Sequence, residues 1–442
     1  MLHANSFDFT KLPVLYEAEI AVCGAGPAGV AAGLAAARSG RKTVLLEQLG
    51  ACGGMSTSGL VPAIISMSDG ANILAAGICQ EIVDELAAGM DMEPIYQWQP
   101  VNPEILKRIY DEKLTAAGVK VYFALKACEV ICEEKKITAI VIATADGFKL
   151  IKAAVFIDAT GDGHLCAWAG APFETGDDDG KTMSPSLCVQ YAGVDWKKYE
   201  QIGGGRNLAR EKWDILLEKG TTPLPEHHFV GSNKSGRSTS SGNLGHIYGL
   251  NCLKEDDLTR GYMEGRQVAK IIHDFHRHDV PGFEKSELVN TAALLSVRET
   301  RRISGDYRLC FNDYIKRASF HDEIGRFAYP VDIHSSSTDP EEQKRVHERI
   351  KQTAMNTGEN YGIPYRALLP QKTENLLVAG RCISTDREMQ SSIRVMACCF
   401  ITGQAAGLSA MLALGKAGKV RDIDVKLLQS KLREQGAYIP RG

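Results

Sequence analysis

Ala18-Glu-Ile-Ala-Val-Cys23 runs directly into Gly24-Ala25-Gly26-Pro27-Ala28-Gly29, and this junction decides how the chain is read. The first six residues form a short apolar run. The glycine turn follows without a break, and a helical pattern of small residues continues from about Pro27 to Ser39, where Gly40 stops it. Thr43 to Leu46 is a second apolar run that ends in Glu47. This order makes a β-turn-α-β unit with parallel strands and a crossover helix. Gly24 allows the turn, Gly26 lets the backbone approach a pyrophosphate, and Gly29, helped by Gly33, brings helix and sheet together. The helix N-terminus offers free N–H groups to phosphate charge. Glu47 lies 21 residues beyond Gly26, placed to accept hydrogen bonds from ribose hydroxyls. A bound dinucleotide is expected here.

The chain has 442 residues, which suggests two or three domains, or one large α/β domain with an insertion. It is 44% hydrophobic and 24% charged with a net charge of −3, so no field favours nucleic acid or an anionic membrane. No apolar run of 18 residues is evident, so no membrane span is expected. The first twenty residues lack a basic stretch followed by an apolar one, so no signal peptide is expected. Twelve cysteines are scattered with no CxxC, the closest spacings being Cys128/Cys132 and Cys398/Cys399. Zinc and iron–sulfur sites need tighter repeated spacing, so no metal is expected. The thiols read as reduced, mostly apolar core residues of a cytoplasmic protein.

Asn102-Pro103-Glu104 opens a later helix with an N-cap, and Gly118 closes it. Strand-like runs follow at Val119–Ala124, Cys128–Cys132, Ile137–Ala143 and Ala153–Ile157. From about Ser184 the texture changes. Gly231 to Gly242 is a polar Gly/Ser-rich tract, expected as a mobile loop. Val268, Ile271, Ile272 and Phe275 then form a helical stripe that leaves His273, His276 and His278 on a solvated face. Near Leu368 the texture changes back, with a buried strand at Asn375–Ala379 and a small-residue helix from Gly403 to Leu414. The expected fold is α/β: a discontinuous Rossmann-type nucleotide domain (1–183 and 368–442) with an α+β substrate or cap domain (184–367) inserted.

Three further segments resemble the FAD-dependent oxidoreductases of the fumarate-reductase-like, glutathione-reductase-type superfamily. They are Gly53-Gly54-Met55-Ser56-Thr57-Ser58-Gly59-Leu60, Asp158-Ala159-Thr160-Gly161-Asp162-Gly163, and the C-terminal set Asn375 to Arg381, Arg394-Val395-Met396 and Gly403 to Gly407. The resemblance is closest to the bacterial branch related to the FAD subunit of heterodisulfide reductase, and it covers nearly the whole chain. It implies FAD contacts at Gly24, Gly26, Pro27, Ala28, Gly29, Glu47 and Gln48, and at Gly53, Gly54, Met55, Thr57 and Gly59. It further implies contacts at Ala127, Ala159, Gly161, Asp162, Gly380, Arg381, Arg394, Val395 and Met396. Some relatives attach flavin through a histidine beside the Gly-Gly segment; Met55 stands there, so FAD is expected to be non-covalent. Cys52 could lie near the flavin but has no resolving partner. Relatives that use NAD(P)H carry a second complete Rossmann unit, and Gly203-Gly204-Gly205 is not one. Electrons are therefore expected to pass between substrate, flavin and a separate partner.

The middle region extends the resemblance through Asp257–Arg260, Pro281–Phe283, Arg298–Arg302, Gly305–Tyr307, Tyr329–His334 and Tyr361–Pro370. Arg298, Arg301 and Arg302 could bind a carboxylate or phosphate, or form a structural network with Glu299 and Asp306. His334 suits proton transfer near neutral pH, or a structural role. His227-His228 has no reading of its own. The expected activity is an oxidoreductase moving hydride between flavin N5 and a small organic substrate, anionic if the arginines bind it. The other reading is an electron-transfer or scaffold subunit of a larger complex.

Overall fold

The computed structural model describes residues 8–201, 205–227 and 231–440. The opening junction folds as β1 (Ile20–Cys23), α1 (Pro27–Arg38) and β2 (Thr43–Leu46). Three more strands, β3 (Lys120–Tyr122), β4 (Val155–Asp158) and β5 (Leu376–Val378), complete an all-parallel sheet of order β5-β4-β1-β2-β3. Every residue of β1, β2 and β4 is buried, as strands covered on both faces must be. α2 (Pro103–Ala116) links β2 to β3. Its Asn102 side chain accepts from the N–H groups of Glu104 and Ile105, and Gly118 turns the chain at φ 75°. The strand runs around Cys128 and Ile137 become Lys126–Glu133 and Lys136–Thr144 of a separate four-stranded sheet.

The C-terminal end returns to this first layer. β5 pairs with β4, and α4 (Met396–Leu414) lies against α1. A Cβ on Gly403 would stand 2.1 Å from the Ala28 carbonyl oxygen, and one on Gly407 2.3 Å from that of Ala32. The two helices touch backbone to backbone, which only glycine permits. α4 begins seven residues before the expected Gly403. It also corrects the reading that no long apolar run exists: with 19 residues it is, among the described residues, the one helix long and apolar enough to cross a membrane. Since 83% of that window is buried inside the protein, it is explained as a core helix.

The middle of the chain builds a second core from Tyr191, Trp213, Ile272 and Phe283, under the antiparallel sheet that includes Val189–Ala192 and Glu287–Thr291. Ile303, Leu309, Phe327 and Tyr361 rejoin the first core. The Gly/Ser tract is not a free loop. Asn233–Lys234 and Ser240–Gly242 pair antiparallel, and Ser240–Gly242 also pairs with Val189–Tyr191. Its small side chains are what lets Ser240 and Ser241 be buried there.

The solvated histidine face is also corrected. In α3 (Glu255–Asp279), His273 is 9% and His276 1% exposed; only His278 faces solvent. His273 stacks on Tyr191 at 4.9 Å and His276 packs on Phe283 at 4.9 Å. Burial pulls the His276 ring down to about pKa 4 and keeps it neutral. The sheet and the Phe283 turn cover a wider face of α3 than the four-residue stripe indicated. Gly203 and Gly204, and His228, lie outside the described residues.

The two kinds of glycine separate in one experiment. Gly403→Ala should lower unfolding stability by roughly 1–3 kcal/mol, because the backbone it meets cannot yield. Gly33→Ala, whose Cβ would find Leu114, Leu45 and Val119 at 3.7–3.8 Å, should be neutral or stabilising by up to about 1 kcal/mol. Denaturant titrations of the two variants check this; equal effects would contradict the contact.

Candidate active site

A cavity of about 530 Å³ opens at the carboxyl ends of β1, β2, β4 and β5. Gly24, at φ 91°, brings the turn so close to Ala159 that a Cβ would stand 2.5 Å from its carbonyl oxygen. Gly26 is the opposite case. A Cβ there would meet nothing within 4 Å, so bare backbone faces the cavity beside the N-terminus of α1. Glu47 is buried, and its carboxylate accepts from the N–H of Ala25 at 2.9 Å and of Leu49 at 2.9 Å. Burial raises its pKa, and these backbone bonds oppose the shift. Glu47 thus braces the glycine turn as well as lining the cavity.

Gln48, Gly54, Met55, Ala127, Ala159, Gly161, Asp162, Gly380, Arg381, Arg394, Val395 and Met396 all line the same cavity, with Gly24, Gly26, Pro27 and Ala28. Gly29, Gly53, Thr57 and Gly59 stand behind the wall. Gly53 N–H donates to Ala25 O at 2.7 Å, Thr57 Oγ1 to Cys52 O at 2.5 Å, and Gly59 N–H to Gly54 O at 2.8 Å. They shape the loop that the others present. Cys52 is buried behind it, its thiol pushed up by burial and then by Glu47. All twelve cysteines are free thiols.

The arginines divide by partner. Arg381 donates to Gly161 O and Val297 O, each at 2.6 Å, and to Asp162 Oδ1 at 2.7 Å. Burial pushes the Asp162 carboxyl up, but Arg381, His164 and Thr300 outweigh it and hold the pKa low. Arg394 pairs with Asp332 at 2.9 Å, while its buried Nε has no hydrogen-bond partner. Arg302 is not brought to the cavity: it pairs with buried Glu299 and, at 3.4 Å, with Glu174. Arg301 donates to Asp162 O at 3.0 Å, and Asp306 pairs with Arg421 instead.

Arg298 does line the cavity. It is buried, donating to Ser184 O at 2.8 Å, Ser186 Oγ at 3.1 Å and Asn243 Oδ1 at 3.4 Å, all neutral acceptors. Burial, then Arg394, pulls its pKa down to about 10. His334 lines the cavity nearby, its Nδ1 2.6 Å from His246 Nε2 and its Nε2 3.3 Å from Asp332 Oδ2. His246 and Glu226 carried no sequence signal, since each stands alone in its segment. Tyr329 and Asp332 belong to a segment noted only for its resemblance.

The family model described as FAD dependent oxidoreductase matches residues 19–432. The chain belongs to this family. The cofactor is FAD. Among solved structures, this flavoenzyme is similar to a geranylgeranyl bacteriochlorophyll reductase-like protein from Thermoplasma acidophilum, at 12% identity over 96% of this chain and 84% of that one (TM-score 0.46). It is also similar to p-nitrophenol 4-monooxygenase PnpA from Pseudomonas putida DLL-E4, at 10% identity over 95% and 85% (TM-score 0.42). The flavin-dependent brominase Bmp2 gives 12% identity over 95% and 83% (TM-score 0.45). Likenesses this distant carry no argument about substrate. The chain matches no curated protein.

The cavity fits this cofactor on its own evidence. Open space at Gly26 lies beside a helix N-terminus, which suits a pyrophosphate. The unpartnered Arg394 Nε at the start of α4 suits a second acceptor. Glu47→Ala should weaken FAD roughly 10- to 150-fold, the loss of about 1.5–3 kcal/mol of charge-assisted hydrogen bonding. Fluorescence titration of apoprotein measures it, and an unchanged dissociation constant would remove Glu47 from the site.

Proposed function

We propose that this flavoenzyme oxidises or reduces a small organic anion, with His334 moving the accompanying proton and a separate partner exchanging electrons. The single observation that carries the reading is Arg298, a buried guanidinium on the cavity wall whose hydrogen bonds, among the described residues, go to neutral acceptors. An incoming carboxylate would find a positive charge with no direct ion-pair partner, and planar donors, there. Bound FAD supplies hydride exchange at its flavin N5.

The protein residues do the rest. Arg298 orients the anion, and Tyr329 and Asp332 hold the face from which His334 works. The N-terminus of α4 at Val395 and Met396 presents N–H groups that stabilise negative charge on the reduced ring. In domain terms, residues 1–183 and 368–442 hold the cofactor and 184–367 carry the substrate side. With no second dinucleotide turn, electrons leave or enter through a protein or small-molecule partner rather than bound NAD(P)H. FAD is held without a covalent bond.

Heat denaturation should release unmodified FAD; colour that stays with the precipitate would show a covalent link. Anaerobic mixing of the purified holoenzyme with a panel of carboxylic acids and alkenoates should bleach or reoxidise the flavin with at least one of them. With that compound, His334→Ala should keep FAD and lose at least ~10²-fold in rate. Arg298→Leu should raise the half-saturating concentration, and wild-type behaviour in both variants would overturn the assignment. No response to any small molecule would favour an electron-transfer subunit instead.

A further inference from the structure

Glu226, His246, His334 and Asp332 stand in line. Glu226 Oε2 accepts from the His246 backbone N–H at 2.6 Å and lies 2.8 Å from His246 Nδ1. The two rings meet at 2.6 Å, His246 Nε2 to His334 Nδ1, and His334 Nε2 reaches Asp332 Oδ2 at 3.3 Å. Side-chain exposures are 2% for Glu226, 7% for His246, 8% for His334 and 15% for Asp332. His334 faces the large cavity. Both histidines also line an outer cavity of about 350 Å³, bounded by Arg210, Tyr248 and Gln343.

The line can be counted in protons. With Glu226 and Asp332 both ionised, each carboxylate only accepts, so His246 Nδ1 and His334 Nε2 each carry a proton. The short contact between the rings needs a third. Two neutral imidazoles hold two protons between them, so the pair holds one in excess. Asp332 is kept ionised by Arg394 at 2.9 Å and by the Tyr329 hydroxyl at 3.1 Å.

We propose that His246 and His334 share this extra proton, a store that lets His334 give up its Nε2 proton and remain a neutral imidazole. The proposal rests on the reading of His334 as the proton donor. His246 is a positioning residue, acting through His334. When His334 gives its Nε2 proton to the substrate, the shared proton settles on His334 Nδ1 and both rings become neutral. No electrons move through the pair, and no bond other than N–H changes. His334 Nε2, the one ring nitrogen then left open, takes up a proton on its own side, from the large cavity that His334 lines, and this restores the charge.

The surroundings favour a pair of this charge. Glu226 and Asp332 flank it, Arg298 and Arg394 face it from the large cavity, and Tyr329 stands beside Asp332. Arg210, Asp214, His227, Tyr248, Glu341 and Lys344 face it across the outer cavity. The two flanking carboxylates oppose the shared proton and the two guanidiniums.

Two measurements on the FAD-loaded enzyme test this, neither of them turnover. In histidine-¹⁵N-labelled protein, long-range ¹H–¹⁵N spectra between about pH 5 and 9 should show the two rings titrating as one coupled pair. His246→Gln should then displace the His334 titration by at least about one pH unit. The flavin midpoint potential, read with equilibrating dyes, should show an inflection with pH that both His246→Gln and His334→Gln displace. If His334 titrates unchanged without His246, and only His334→Gln moves the inflection, the shared store is wrong and the donor reading survives. If neither variant moves the inflection, His334 does not face the flavin, and both fall.

Discussion

Where α1 passes α4 there is no room for a side chain at Gly403 or Gly407, and the site depends on that. Gly403 and Gly407 face the carbonyls of Ala28 and Ala32, and a Cβ on Gly380 would touch the Ala28 side chain at 3.2 Å. Ala28 is the second residue of the helix that opens after the glycine turn. The contact therefore seats residues 380–381 and 394–396 around the same opening as residues 24–28, although more than 350 positions separate them. The larger part of this wall is glycine, alanine and main chain. Its shape is set by how closely two backbones approach, and it changes little unless that approach changes.

Charge is distributed around the opening by a second constraint. A buried carboxylate or guanidinium left alone costs several kcal/mol, so each tends to find a counterpart. Glu299 holds Arg302 and Arg387, Asp162 holds Arg381, and Asp332 holds Arg394. These pairs tie the middle segment to the cofactor loops. Arg298 departs from the pattern, with neutral oxygens as its acceptors and Arg394 as a neighbouring like charge. Asp332 and Glu226 offset its charge only from a distance, and a bound anion in direct contact would offset it further.

The cofactor half was legible because its chemistry is local. Gly24 to Gly29, Glu47 and the Asp158–Asp162 turn each need particular residues at fixed short spacing, and seventeen of the twenty-one expected cofactor residues stand on one cavity wall. Those that do not, such as Gly53 and Thr57, are conformational supports, which a motif does not distinguish from contacts. The opposite wall of the cavity was legible only in part. Arg298 and Arg302 look alike in sequence, and only the fold shows that Glu299 neutralises one of them. His273 and His276 were misread because a four-residue stripe understates how much of a helix a sheet can cover. His246 and Glu226 had no pattern to be found by, because their significance is contact across 88 and 20 positions.

The two walls consequently differ in what a substitution can do to them. On the side of the glycine turn, much of the wall is backbone and small residues, so an exchanged side chain elsewhere leaves its shape largely as it was. On the opposite side the surface is made by side chains: Asn243, Arg298, Tyr329, Asp332 and His334, from three separate stretches of the middle segment. Tyr329 packs against the first core; the other four lie outside it and can be replaced without disturbing the parallel sheet. Family membership therefore fixes the cofactor but not the substrate. On the function proposed above, the choice of substrate is carried by those side chains, and chiefly by Arg298, the guanidinium among them with no direct carboxylate partner.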